Sequence, residues 1–431
     1  MLGMEYPRIL VLSNNSFSQS NSNGRTLGSL LNGWPKDRIA QFCISSDGAD
    51  LNICNNYFCV TDQDVVKSLF TLSPAKRRSL SNEHPVNANI RRGYVKHRKS
   101  SLKMLVRNIM WIIGIWQKGD FRQWLEAFSP EVILLQNSDS FFMHRLAVKL
   151  AKQAKAKLAI FNTEGYYLFN MSYFPADGFC GLILFRLYRK MYMRSFEKFM
   201  AHCSGQIYGN QQLKEDYDKI FGNKNSIVLY TSSNVTFEPK DIDAENVRFS
   251  YLGNLGYNRP SALIEFAEII SEINFKYRLD IYGPVKDSDM KNRLHSCKSI
   301  NYHGQISYSE VQEVIKSSDF LIHVESQDEK WQESLRYGFS TKIADSIASG
   351  KVFVLYSSPK IACAKYINET GAGIFAESKE CLKTALVRII EDSTAKDSLI
   401  QTAKHIKEAN HNIDINTRTC HMYLTTLPSI I

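Results

Sequence analysis

Short apolar runs that stop at turn residues recur along this chain, and each is followed by a stretch with helical spacing. "RILVLSNN" (residues 8–15) opens the series. The polar loop "SFSQSNSNGRT" comes next, and the spacing predicts a helix from about Leu27. "QFCIS" (41–45), "EVILLQ" (131–136), "KLAIFNTEG" (157–165), "SGQIYGN" (204–210) and "SIVLYTSSNV" (226–235) repeat the signal. Apolar runs without in–out alternation read as strands covered on both faces. Alternation of such strands with helices requires parallel pairing through helical crossovers.

The polar stretch "TFEPKDIDAEN" (236–246) contains Pro239 and reads as a linker, after which the pattern restarts. "VRFSYLGNLG" is strand and loop, and "PSALIEFAEIISEI" is a helix with Pro in its first turn. "YRLDIYGPV", "INYHGQI", "DFLIHVE", "KVFVLYSS" and "GAGIFAE" supply further strands, and helical spacing continues to about Asn410. We therefore expect two consecutive α/β domains, 1–235 and 247–410, with a tail 411–431 packing back on the first. A length of 431 residues suits two or three domains at about 150 residues each.

Nine cysteines are scattered with no C-x-x-C pair. That spacing argues against a zinc ribbon, a thioredoxin-type site or a disulfide framework, and for a reducing cytosol. The start "MLGMEYPRILVLSNN" lacks a charged segment leading into a long apolar one, so no signal peptide is expected. The run "IMWIIGIW" (109–116) is too short to span a bilayer. The expected protein is soluble, or lies on a membrane surface.

The net charge of +10 is concentrated in one place. Lys76, Arg77, Arg78, Arg91, Arg92, Lys96, Arg98, Lys99, Lys103 and Arg107 face only Glu83. The segment 76–124 continues through Trp111, Ile112, Ile113, Ile115 and Trp116, an apolar run with aromatic anchors. Residues 182–199, "LILFRLYRKMYMRSFEKF", repeat the theme. This is the composition of an interfacial helix on anionic lipid. A basic solvated face over a packed core helix is the other reading. No nucleic-acid-binding module is present, so no nucleic-acid partner is expected.

In open α/β sheets ligands bind at the carboxyl ends of the strands. Three loops of the second half fit that rule. In "GNLGYNRP", Gly253 and Gly256 allow close backbone approach, and Arg259 stands just before a helix N-terminus, where anions bind. In "STKIADSIASG", Ser340 or Thr341 suits an N-cap. Lys342 opposes the helix dipole unless an anion such as a diphosphate shares that end. Asp345, inside an apolar pattern, needs a partner, and two adjacent ribose hydroxyls would serve. An exposed Lys342 and an Asp345 simply favoured near the helix start is the competing reading. Gly283 in "IYGP" and Gly304 in "HGQI" could leave backbone groups for a nucleobase edge. "DSD" (287–289) matches a metal-binding D-x-D but lies in a polar surface loop, and is read as coincidence.

The order "YLGNL…R", "DIYGP", "YHGQI", "DFLIHVE", "FSTKIADSIASGKVFVLY", "GAGIF" resembles the C-terminal half of family 4 retaining glycosyltransferases over about residues 247–410. The N-terminal half is similar in strand order and in "SNGRT". The resemblance implies the GT-B fold, two Rossmann-like domains facing each other across a cleft. It implies sugar transfer from a nucleotide sugar, a UDP-sugar above all, with retention and with no metal or cofactor. The donor-binding positions it implies are Gly253, Asn254, Arg259, Gly283, Gly304, Ser340, Thr341, Lys342 and Asp345. Arg259 and Lys342 would offset the charge on the leaving diphosphate. The family's donor loop carries a second basic residue where this chain has Asn254. Its two glutamates fall on Tyr337 and Asp345.

By the same resemblance the N-terminal half holds the acceptor, a lipid-linked saccharide of a bacterial capsule or O-antigen pathway. The protein would then be cytoplasmic and peripheral at the inner face of the cytoplasmic membrane. Asn23, Gly24 and Arg25 form a glycine-containing loop after the first strand. Asp139 and Glu164 each follow a strand and could meet sugar hydroxyls, or act as loop or cap residues. His144 falls in a helical pattern and reads as packed. A nucleotide-sugar 2-epimerase of the same fold, and a non-catalytic scaffold for a partner transferase, are the alternatives.

Overall fold

The computed structural model describes residues 5–18, 22–45, 48–77, 99–174, 177–178, 180–222, 225–285 and 287–428. The chain forms two compact units, Met1–Leu229 with Thr417–Ile431, and Tyr230–Asn416.

The first unit is built on β1 (Ile9–Ser13), β2 (Ile39–Cys43), β3 (Tyr57–Cys59), β4 (Val132–Gln136), β5 (Lys157–Asn162), β6 (Gly205–Tyr208) and β7 (Ser226–Val228). Their order across the sheet is β3-β2-β1-β4-β5-β6-β7, and every pairing is parallel. β1 and β4 are buried along their whole length, as their unbroken apolar runs require. One face of the sheet packs Ile9, Val11, Leu134 and Ile207 against Cys420, Tyr423 and Leu424 of the helix Ile413–Thr426. Lys157 Nζ donates to the Thr425 carbonyl at 2.8 Å, fixing that helix to β5.

The second unit contains β8 (Phe249–Leu252), β9 (Leu279–Tyr282), β10 (Ile300–Gly304), β11 (Phe320–Val324), β12 (Val352–Tyr356) and β13 (Ile374–Ala376). Their order is β10-β9-β8-β11-β12-β13, again wholly parallel. The stretch 236–246 lies along this unit. Glu238 N donates to the Ser349 carbonyl, Lys240 pairs with Asp319, and Lys396 pairs with Asp241.

In both sheets the strand order reverses beside the first strand, between β1 and β4 and between β8 and β11. Loops leaving those neighbouring strands diverge and open a crevice at the carboxyl ends.

Two expectations are corrected here. The first helix starts at Ser22 rather than near Leu27. Gly24 allows this, because a Cβ there would lie 2.5 Å from the Ser16 carbonyl oxygen. Trp111 and Trp116 are not surface anchors: they are 1% and 0% exposed. The helix Ser101–Ile113 turns Trp111 inward, where its indole N–H donates to Asp62 at 2.7 Å. Trp116 stacks on Phe42 of β2 at 5.2 Å, covering a sheet face that would otherwise be wet. Arg78, Arg91, Arg92, Lys96 and Arg98 of the basic segment lie outside the described residues.

Candidate active site

Three strand ends in the second unit are laced by backbone bonds. Gly253 N donates to the Tyr282 carbonyl at 2.9 Å, and Gly283 N to the Gly304 carbonyl at 2.7 Å. A Cβ on Gly283 would stand 1.7 Å from the Gly253 oxygen, so only glycine permits this approach. The loop then turns into the helix Arg259–Ile273 through Tyr257 and Asn258, consecutive residues with φ of +55° and +57°. Left-handed backbone at non-glycine residues costs about 1–3 kcal/mol each and persists only where surroundings impose it. Here Asn258 Nδ2 donates to Asp328 at 2.8 Å, and Ser261 Oγ donates to Asn258 Oδ1. The Tyr257 ring lies beneath the Arg259 guanidinium, 5.5 Å away, and meets Trp331 edge-on.

That turn delivers Arg259 to the crevice between β8 and β11. Its Nε and Nη2 donate to Glu325 Oε2 and Oε1, both at 2.8 Å, as a two-pronged fork. Glu325 is buried and the Arg259 side chain is 13% exposed, and Arg259 Nη1 points to the Asn254 carbonyl at 3.3 Å. Glu325 Oε1 also meets His323 Nε2 at 3.1 Å. Burial disfavours the charged form of each group in this cluster. On Arg259 the Glu325 carboxylate outweighs burial and holds the guanidinium above its ordinary range. On Glu325 burial is likewise outweighed, by His323 and Arg259, and the carboxyl is held below its ordinary range. On His323 burial wins, aided by the charges of Arg259 and Lys342, so the imidazole stays neutral at pH 7 and its Nε2–H donates to Glu325.

Lys342 thus belongs to the same electrostatic neighbourhood as Arg259 and His323. It is half-buried in the first turn of the helix Thr341–Ala348, where Ser340 Oγ caps by accepting from Lys342 N at 3.3 Å. Thr341 is buried beside it. Asp345, one turn on, is also buried, and its Oδ1 accepts from Ser233 Oγ at 2.7 Å. A hydroxyl partner is what an acid at this position needs, and Ser233 supplies it. Tyr337 is buried, with Arg336 over its ring.

The structure therefore sets Arg259 against Glu325 at the ends of β8 and β11, with Gly253, Gly283 and Gly304 at the ends of β8, β9 and β10, and Lys342 in the first turn of the helix before β12, its charge acting on His323. Sequence reasoning missed Glu325 and His323, although both stand in "DFLIHVE" at the carboxyl end of a predicted strand. A buried acid directly after a strand was the available signal.

The acceptor candidates of the first unit are dispersed in character. The Asn23 carbonyl accepts from Gln136 at 3.3 Å, and Arg25 is half-buried. Asp139 is buried and paired with Lys99, while Tyr188 donates to its carbonyl. Glu164, in the turn after β5, is half-buried, and no hydrogen bond to its carboxylate joins it to the described residues. Burial raises that carboxyl to about 7. His144 is core: Tyr192, Phe196 and Phe199 surround it, Nε2 meets Asn137 at 3.1 Å, and burial lowers it to about 3. Asp287 of "DSD" caps the helix Ser288–Ser296 by accepting from Asp289 N and Met290 N.

No family model and no curated protein matches the chain. Solved structures do match. The Anabaena protein HepE in complex with UDP superposes with a TM-score of 0.62 at 13% identity, over 97% of this chain and all of that one. HepE has also been solved with UDP-glucose. Sucrose-phosphate synthase from Thermosynechococcus elongatus gives 0.60 at 12% identity, over 96% and 97% of the two chains. The lipopolysaccharide outer core galactosyltransferase WaaB gives 0.53 at 14%, over 96% and 98%. With two parallel α/β sheets and these neighbours, the chain has the GT-B fold of glycosyltransferases.

Proposed function

We propose that the protein is a glycosyltransferase that moves a sugar from a nucleotide sugar, a UDP-sugar, to a lipid-linked saccharide of bacterial surface polysaccharide synthesis, at an anionic membrane surface. The reaction proceeds with retention and needs no metal or cofactor. One observation carries the reading: the Glu325 fork holds the Arg259 guanidinium at the switch point of the second sheet, and Lys342 stands in the first turn of the helix Thr341–Ala348, its charge acting on His323 beside that fork. Fixed cations at the carboxyl ends of an α/β sheet suit a diphosphate. The complexes of HepE with UDP and UDP-glucose support uracil as the donor base.

In this reading the bond from the anomeric carbon to the diphosphate oxygen breaks, and the oxygen keeps the electron pair. Lys342 meets the growing negative charge. Arg259 contributes less than a free guanidinium, because the Glu325 fork already offsets most of its charge. The acceptor hydroxyl oxygen bonds to the anomeric carbon on the face that the diphosphate leaves, and gives its proton to the leaving phosphate. Asp345 reads the ribose.

Calorimetric titration with UDP tests the donor site. Micromolar to millimolar binding that Lys342→Ala weakens supports it, and no heat at millimolar UDP overturns it. Incubation of bound UDP-sugar without acceptor separates transfer from epimerisation, which would scramble the sugar ring alone.

A further inference from the structure

The helix Ser101–Ile113 buries Met104, Leu105 and Trp111 and leaves an apolar stripe outside. Leu102, Val106, Ile109 and Ile113 are 43–60% exposed. Their spacing of four, three and four residues puts them on one side of the helix. The helix Gly181–Met200, packed against it in the same unit, behaves alike. It buries Phe185, Tyr188 and Tyr192 and leaves Leu182, Ile183 and Leu187 50–71% exposed.

Asp177 ties the starts of the two helices together. Its Oδ1 accepts from Ser101 N at 2.7 Å, its Oδ2 accepts from Ser101 Oγ at 2.6 Å, and Gly181 packs on its Cβ. Ser172 Oγ also donates to Oδ2 and brings Met171, 67% exposed, to the same place. The apolar beginnings of both helices therefore gather around one carboxylate. Large exposed apolar residues gathered in this way mark a contact surface.

The exposed charge on these helices is mostly positive. Lys103, Arg186, Lys190, Arg194 and Lys198 are exposed on these helices, against Glu197 alone. Along Gly181–Met200 the exposed residues change from Leu182, Ile183 and Leu187 to Lys190 and Arg194, an apolar end followed by a basic one. A second copy of this chain would bring like charges face to face. Anionic lipid headgroups above an acyl layer complement both parts.

We propose that this two-helix face is the surface by which the protein docks on an anionic bilayer. Leu102, Val106, Ile109, Ile113, Ile183 and Leu187 enter the headgroup–acyl boundary, and Arg186, Lys190 and Arg194 meet lipid phosphates. The proposal deepens the reading of a membrane-presented acceptor and rests on it. It moves the contact away from Trp111 and Trp116, which are core.

Co-sedimentation with phosphatidylglycerol–phosphatidylcholine vesicles tests it, with pure phosphatidylcholine vesicles as control. The wild type is expected to bind only the anionic vesicles, and less as salt rises. Ile109→Asp/Ile113→Asp is expected to weaken binding at least tenfold. Arg186→Gln/Lys190→Gln/Arg194→Gln is expected to weaken it roughly a hundredfold at low salt, at about fivefold per charge. UDP titration and thermal melts of the same variants should match wild type, since none of these residues lies in the donor site. Vesicle binding unchanged in both variants overturns the proposal. So does a self-associating protein, seen by sedimentation velocity, that the Asp variant makes monomeric and that never binds vesicles. Wild type that binds vesicles but not UDP sinks the donor reading and leaves the docking face standing.

Discussion

Glu325 grips Arg259 through two 2.8 Å hydrogen bonds, one to Nε and one to Nη2, across the switch point of the second sheet. The partners are 66 residues apart in sequence. Removing one member of a buried ion pair strands the other charge, which typically costs about 3–5 kcal/mol. Glu325→Ala is therefore expected to destabilise the second unit by that amount in urea denaturation, and Arg259→Met/Glu325→Met by much less. Equal losses in the single and double variants would show that the fork does not hold the crevice together.

Lys342→Ala should lower turnover by about two to three orders of magnitude, the scale for one preorganised electrostatic donor. The helix should survive, because Ser340 caps it through the backbone N–H of Lys342, which alanine keeps. Steady-state kinetics on a working donor–acceptor pair provides the check. A variant with wild-type turnover would remove Lys342 from the donor site.

Asp345→Ala should weaken nucleotide-sugar binding by about 1.5–3 kcal/mol, the range for hydrogen bonds to a charged group. Ser233 holds one carboxylate oxygen, so Ser233→Ala should change donor affinity far less. A 2′,3′-dideoxyribose donor analogue should bind wild type poorly and the Asp345 variant no worse than the normal donor does. Equal discrimination by both proteins would assign Asp345 a purely structural role with Ser233.

Acid should destabilise the protein through its buried imidazoles. Burial lowers His144 to about 3 and His411 to about 4 from 6.5. A depressed folded value means the unfolded chain binds the proton first. Stability is then full above pH 6.5 and falls as pH drops toward the folded values, by about 1.4 kcal/mol per pH unit for each group. Urea midpoints at pH 7.5, 6 and 5 should trace this decline, and His144→Phe should flatten it in the first unit. A midpoint independent of pH over that range would contradict it.

Glu164 should behave in the opposite sense. Its folded value is raised to about 7, by burial. Its protonated form is favoured on folding, so stability is best below the unfolded value near 4.5 and is lost as pH rises through about 7. Glu164→Gln should therefore raise the melting temperature at pH 8 and leave it nearly unchanged at pH 5. A variant that is less stable at pH 8 would mean that the carboxylate is held by a favourable contact.

The sequence alone determined the strands other than the short β3, the parallel α/β class and the glycines at the ends of β8, β9 and β10. Those features rest on short-range physics: burial on both strand faces, helical periodicity and turns that only glycine can make. It also marked Arg259 and Lys342, because a cation before or within a helix's first turn is a local anomaly. Tertiary structure decided which groups meet. Glu325 pairs with Arg259, and Ser233 with Asp345 over 112 residues, only because crossovers set strand order and bring distant loops to one sheet edge. The same holds for "SLKMLVRNIMWIIGIW". Its composition allowed a lipid-facing tryptophan edge, but β2 offered Phe42 as a surface to cover, so Trp111 and Trp116 turned inward and the aliphatic stripe was left facing out. Amphipathic periodicity says that a helix has two faces. Which face is buried depends on what the rest of the chain leaves uncovered.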